Sequence, residues 1–160
     1  AGVVSACRKA TSKPIITKLS PNQSDIKKSA QACIESGTDA LSVINTISGM
    51  AIDAEKKEPI LGNRVGGLSG PAIKPIALLK VFDVFTVAKK HNIPILGQGG
   101  ISNANDALEF ILAGATTVGV GTALFFDPLI CSKINSGISK YLDNQGHRSL
   151  VEIIGGAHKK

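Results

Sequence analysis

The residues able to do chemistry sit at the ends of short apolar runs: Lys18, Asn45, Thr46, Gly99, Gly100, Gly121 and Thr122. The apolar run at 93–97 ends in Gly97, Gly99 and Gly100, and an amphipathic segment opens directly after them. Its apolar positions Ala104, Ala107, Leu108, Ile111 and Leu112 share one helical face. Ser102 or Asn103 is placed to cap the first turn, and Gly114 to stop the helix. A strand, a glycine turn and a helix N-terminus in succession make an anion site. Free backbone N–H groups and the positive end of the helix dipole face the anion, and glycine lets it come close. The order recurs in Thr117-Val-Gly-Val-Gly-Thr122 before Ala123. Two such turns after the last two strands form the phosphate clamp of many (β/α)8 barrels. Either turn taken alone reads equally well as a plain tight turn.

Lys18 is a cation at a strand end, aimed at the mouth of a barrel or simply reaching water. Asn45 offers two donors and an acceptor, which suits a planar polar heterocycle; closing a strand is its other reading. Ser69, between glycines, hydrogen-bonds a ligand or shapes its turn. His91, His147 and His158 have no partner at metal-ligand spacing, so no metal site is expected. No Ser-His-Asp or Cys-His arrangement stands out.

These residues need elements to hold them. A helix is expected over 1–11, with Val3, Val4 and Cys7 in its turns. A strand follows at 15–19, with Ile16 and Lys18 on one face. A helix beginning at Ser24 presents Ile26, Ala30, Cys33 and Ile34, and Gly37 ends it. Residues 40–44 are a nearly all-apolar strand, as strands covered on both sides are. Residues 45–70 form a long connection of the kind that usually carries function, with a small hairpin joining Ala51-Ile52 to Pro59-Ile60-Leu61. A helix over 73–91 is expected to bury Ile76, Leu79, Phe82 and Phe85. Strands at 93–97 and 117–120, helices at 103–113 and 129–142, and a short last helix with capping-box spacing at Ser149 and Glu152 complete the chain. Four strand–helix units at ~30–40 residues each make about half of a ~250-residue barrel. The expected fold is therefore α/β, with residues 1–160 as the C-terminal half of a (β/α)8 TIM barrel. An open parallel sheet is the alternative. Half a barrel has two bare sheet edges, which favour association with another chain.

The chain of 160 residues is 43% hydrophobic and 19% charged, long enough and apolar enough for one domain with a core. No apolar run approaches the ~20 residues of a membrane span, and no secretory apolar region stands near the start. Cys7, Cys33 and Cys131 are far apart and odd in number, which suggests reduced thiols in the cytoplasm. The net charge of +6 is spread over lysine pairs (27–28, 56–57, 89–90, 159–160) on different elements. Aromatics are only 4% with no Trp, so neither a nucleic-acid patch nor a stacking platform is expected.

Five motifs in order, Lys18-Leu-Ser-Pro-Asn22, Ile44-Asn-Thr46, Gly66-Gly-Leu-Ser-Gly-Pro-Ala72, Gly97-Gln-Gly-Gly-Ile101 and Val120-Gly-Thr-Ala123, resemble the dihydroorotate dehydrogenase family. Asp127-Pro-Leu-Ile-Cys131 resembles its class 1B catalytic subunit; the related part of dihydropyrimidine dehydrogenase matches less well through 66–75. The resemblance implies an FMN enzyme oxidising dihydroorotate to orotate in pyrimidine synthesis. It implies Lys18 beside the flavin ring, Ile44 packed near the ring and Gly70 approaching it. It implies Asn45 and Thr46 on the substrate, and Gly99-Gly100 with Gly121-Thr122 on the FMN phosphate. An FAD and iron–sulfur electron-transfer subunit and a homo-oligomer are the implied partners.

The family's catalytic base, a cysteine in class 1B, belongs to a loop that would precede Ala1, and none of the three cysteines here matches its motif. The chain alone is thus expected to be inactive. Two other readings stand beside this one: a phosphate-binding barrel lyase or isomerase without flavin, and a half-barrel that does no catalysis. Lys18 with Asn45-Thr46 and the 66–70 loop favour the flavin reading, because a phosphate clamp alone does not require them.

Overall fold

The computed structural model describes residues 1–159. Its centre is a four-stranded parallel sheet of β1 (Ile16–Leu19), β2 (Ala40–Val43), β7 (Ile95–Gln98) and β8 (Thr117–Gly119), in that spatial order. Register pairs Ile16 with Ala40, Leu41 with Ile95, and Leu96 with Thr117. Each strand is followed by a helix: α2 (Ile26–Glu35), α3 (Lys74–Ala88), α4 (Ala104–Ala113) and α5 (Ile130–Gln145), with α1 (Gly2–Ala10) ahead of β1. The expected parallel sheet in chain order is what forms. It is open, with β1 and β8 at its edges; no closed barrel is formed by the described residues.

Local signals explain most boundaries. Asp25, one residue beyond the expected Ser24, caps α2 by accepting from the N–H groups of Lys27 and Lys28. Asn103 caps α4 through Asp106 N–H, and Gly114 ends it at φ 119°. Ile93 and Pro94 fall outside β7, although the Pro94 carbonyl still accepts from Leu41 N at 3.0 Å. The last short helix is a 3-10 turn, Leu150–Ile153, and not a capping box. Ser149 Oγ accepts from Val151 N, and Glu152 turns back to accept from Arg148 N and to meet His147.

The core lies between sheet and helices, with Ile26, Leu41, Val43, Ile95, Phe110 and Ile111 almost fully enclosed. The expected faces of α2 and α4 are the buried ones, and Phe110 joins the latter. The expected face of α3 is wrong. Ala77, Val81, Val84 and Ala88 are fully buried, whereas Ile76, Leu79 and Phe82 are exposed and Phe85 packs at the core margin. This helix is apolar nearly all round, so size rather than hydropathy decides which side meets the sheet. Small side chains let it approach closely, and Phe82 stacks instead on His158, ring centroids 3.7 Å apart.

Residues 45–70 form an arm with two short antiparallel ladders. β4 (Ile52–Asp53) pairs with β5 (Glu58–Pro59), as expected for the small hairpin. β3 (Ile47–Gly49) pairs with β6 (Gly66–Leu68), a ladder the sequence did not announce because half of it is glycine.

Candidate functional site

The carboxyl ends of all four central strands open into one cleft of about 710 Å³. In open parallel sheets this is where ligands bind. From β1 comes Lys18, and from the end of β2 come Ile44, Asn45 and Thr46. The arm returns Ser69 and Gly70 to the same wall; β7 supplies Gln98, Gly99 and Gly100; β8 supplies Gly121 and Thr122. Every residue singled out from the sequence therefore lies on one surface, drawn from five separate stretches of chain.

The β2 end is fixed by backbone bonds. Asn45 N donates to Leu19 O at 2.9 Å, and Ile44 N to Gln98 O at 3.0 Å. The Gln98 side chain returns the contact, Nε2 to Ile44 O at 3.1 Å. The peptide between Val43 and Ile44 is cis. Ile44 is buried, while Asn45 presents its side chain to solvent. Asn22 braces the next residues: its Nδ2 donates to Thr46 O at 3.1 Å and its Oδ1 accepts from Ser48 N at 3.0 Å. The arm is closed over β8 by Ser69 Oγ and Thr122 Oγ1, 2.8 Å apart.

The two glycine turns meet in the cleft as the sequence suggested. Among the described residues the backbone N–H groups of Gly99, Gly100, Gly121 and Thr122 engage no carbonyl or side chain. Gly99, Gly100 and Thr122 are half-buried and Gly121 is exposed, so these donors are free to meet an acceptor that enters the cleft. Gly99 and Gly100 adopt φ 134° and 80°. A Cβ on Gly99 would strike Ala77 Cβ at 2.7 Å, and one on Gly100 the Gly70 carbonyl at 2.7 Å. Glycine is required at both for the turn to lie between α3 and the arm. Gly121 differs, because a Cβ there would meet nothing within 4 Å.

The helix-dipole part of the expectation needs correction. The N-terminus of α4 already has its anion, the buried carboxylate of Asp106 in its own first turn. Oδ2 accepts from Ser102 N (2.9 Å), Ser102 Oγ (2.8 Å) and Asn103 Nδ2 (3.0 Å), and Oδ1 from Lys74 Nζ (2.6 Å). Burial alone would push the Asp106 carboxyl up, but the bonds from Lys74 and Ser102 outweigh it and hold it below the usual carboxylate value. Lys74, bonded to Asp106 and then to Glu109 at 2.9 Å, is raised. The segment after Gly121 is a four-residue 3-10 turn, Thr122–Phe125, with little dipole to offer. An anion in this cleft is therefore met by turn amides more than by helix ends. Asp106 and Lys74 were not singled out from sequence, although a carboxylate three residues after an Asn cap is a readable signal.

Among the described residues, Lys18 and Asp127 are the only charged groups on the cleft wall. Asp127 is occupied: Lys133 Nζ lies 2.7 Å from it and, by that hydrogen bond first, lowers its carboxyl. Lys18 has no hydrogen-bonding or ionic partner among the described residues, so the cleft carries one uncompensated cation. None of Cys7, Cys33 and Cys131 lines it. No His, Cys, Asp or Glu group able to hold a metal is found among the described residues. The lysine pairs at 27–28, 56–57 and 89–90 fall on α2, the hairpin tip and the 3-10 turn that follows α3; Lys160 lies outside the described residues. No described helix is long and apolar enough to cross a membrane.

The family model described as dihydroorotate dehydrogenase matches residues 1–142. Among curated proteins, the chain is 54% identical over 155 residues to the dihydroorotate dehydrogenase B (NAD(+)) catalytic subunit of Trichlorobacter lovleyi, covering 97% of this chain and 50% of that protein. The subunits of the same name from Desulforamulus reducens and Bacteroides thetaiotaomicron are 52% and 54% identical over 158 and 153 residues, covering 99% and 96% of this chain and 51% and 50% of theirs. The chain thus spans about half the length of the curated relatives it matches. With the match covering most of its length, the chain belongs to the dihydroorotate dehydrogenase family.

Proposed function

We propose that this chain forms the C-terminal half of a (β/α)8 barrel of class 1B and carries the FMN-phosphate site and part of the substrate site for oxidation of dihydroorotate to orotate in pyrimidine synthesis. The observation that carries the reading is the convergence of Lys18, Ile44–Thr46, Gly70, Gly99–Gly100 and Gly121–Thr122 on one cleft. The residues fit FMN on this structure's own chemistry. Unengaged N–H groups of two turns suit a phosphate, and buried Ile44 offers an apolar surface for a ring. The lone cation Lys18 suits a group that gains negative charge.

Bound FMN would supply the hydride acceptor, chemistry that no side chain provides. The chain's own contribution is positioning and charge. The N–H groups of Gly99, Gly100, Gly121 and Thr122 would donate to the phosphate oxygens. Lys18, exposed at the end of β1, would set its cation beside a bound ring and offset negative charge gained there. Asn45 and Thr46 orient the pyrimidine through complementary donors and acceptors. Proton removal from the substrate falls to a base outside this chain, since no cysteine reaches the cleft. The relatives' name, catalytic subunit, supports an electron-transfer partner subunit. A cytoplasmic location and a homo-oligomer complete the reading.

A flavin spectrum of the purified chain, alone and joined to the N-terminal half of a relative, tests it. Flavin bleached by dihydroorotate in the joined protein is the expected result. A joined, folded protein that takes up no flavin overturns it, and favours a lyase or isomerase site that uses the same phosphate clamp.

A further inference from the structure

We propose that Asp106 is a positioning residue for the cofactor phosphate, holding the Gly99–Gly100 turn at the cleft wall without touching the cleft itself. The inference rests on the cofactor reading above. Asp106 is absent from the cleft lining, but both flanks of the turn depend on it. On one side is Lys74, the first residue of α3. Its backbone N and its Cβ each lie 3.0 Å from the space a Gly100 Cβ would occupy, and its Nζ is bound to Asp106. On the other side is Ser102, two residues past Gly100, held to Asp106 by both its N–H and its hydroxyl. One carboxylate thus ties the start of α3, the segment leaving the turn and the first turn of α4 into one unit. Ser102, bonded to Asp106, and Ile73, the residue before Lys74, do line the cleft.

The carboxylate is also needed chemically, beyond its shape. Both oxygens accept, one from the ammonium and the other from Ser102 and Asn103. Asp106→Asn keeps the size but turns one acceptor into a donor. Whichever way the amide is turned, an N–H₂ faces either Lys74 Nζ or the Ser102 N–H, and one flank lets go. The turn amides then lose their fixed spacing. A phosphate bound by several oriented donors suffers, while a ring bound by apolar contact does not.

The test compares FMN with riboflavin, which lacks the phosphate, by fluorescence titration of the chain joined to the N-terminal half of a relative. The wild type is expected to prefer FMN. Asp106→Asn should lower that preference about 10–100-fold, by analogy with the groups that hold metal-binding side chains in place, with riboflavin affinity unchanged. Ile26→Ala, in the core of α2, is the control for simple destabilisation: it should lower Tm and leave the preference intact. Without any flavin, amide exchange at Ser102 should quicken in Asp106→Asn. An unchanged preference in Asp106→Asn overturns the positioning role and leaves the cofactor reading standing. No preference for FMN in the wild type overturns both.

Discussion

The hydroxyls of Ser69 and Thr122 meet at 2.8 Å across 53 residues of chain, and through them the end of the 45–70 arm is tied to the turn that follows β8. The pair sits on the cleft wall. Ser69→Ala removes the bond but leaves both backbones in place. The expected cost in stability is small, about 0.5–1.5 kcal/mol. Proteolysis and amide exchange should rise in the arm and not in the sheet. Exchange that rises equally in β2 and β7 would show that the arm is held by other contacts.

The two glycine turns are expected to respond differently to an added methyl. At Gly100 the positive φ and the Gly70 carbonyl make any side chain costly to the fold as well as to ligand approach. Gly100→Val should lower Tm and FMN binding together. At Gly121 the space is open, so Gly121→Ala should leave Tm nearly unchanged while weakening FMN through its phosphate. Titration of both variants with FMN decides the matter. Full FMN affinity in Gly121→Ala would remove that turn from the phosphate site.

Stability should fall in acid in a way that Asp106 partly explains. Its carboxyl sits below the ordinary 3.8, so its contribution is complete above that value. As pH drops below 3.8 the unfolded chain takes up the proton first, and stability is lost until the folded group is protonated too. Asp25, Asp39 and Asp127 are lowered as well and add to the same slope. Lys74 acts in the opposite direction: raised above 10.5, it supports the fold below that value and is lost as pH climbs through its higher folded one. Urea unfolding between pH 5 and 2.5 should therefore show a shallower slope for Asp106→Asn than for wild type. Equal slopes would mean that the pair with Lys74 is not maintained in solution.

β2 and β7 were legible because they are short, mostly buried apolar runs ended by polar or glycine residues, whereas the more exposed edge strands β1 and β8 were legible from their place between turn and helix signals. The cleft was legible for the same reason: Lys18, Asn45 and the glycines sit where those runs stop. The burial of α3 was not. Ile76, Leu79, Phe82 and Phe85 follow a helical spacing as good as that of Ala77, Val81, Val84 and Ala88, and the larger set looked like the core. What decides is the Gly99 turn, 2.7 Å from Ala77 Cβ once a Cβ is placed on the glycine. That contact is between elements and has no trace in a local window. Ala77→Leu should accordingly destabilise by about 1–3 kcal/mol through overpacking, and Leu79→Ser, on the exposed face, by no more than about 0.5 kcal/mol. Thermal melts of the pair would expose a reversed helix if the order were inverted.

Lys18 should matter only once the active site is complete. Among the described residues it is the one unpaired charge on the cleft wall, yet the wall holds no cysteine to take the substrate proton, and positioned bases typically contribute about 10²–10⁴-fold to rate. The 160-residue chain with FMN should therefore show no dihydroorotate-dependent flavin reduction in stopped flow. Joined to the N-terminal half of a relative it should recover the reaction, and Lys18→Ala should then slow flavin reduction more than it weakens substrate binding, because its charge acts on what develops during hydride transfer. A lysine that merely reaches water predicts no difference between Lys18→Ala and wild type. Full-rate reduction by the chain alone would place the base within these residues and return Cys7, Cys33 and Cys131 to consideration.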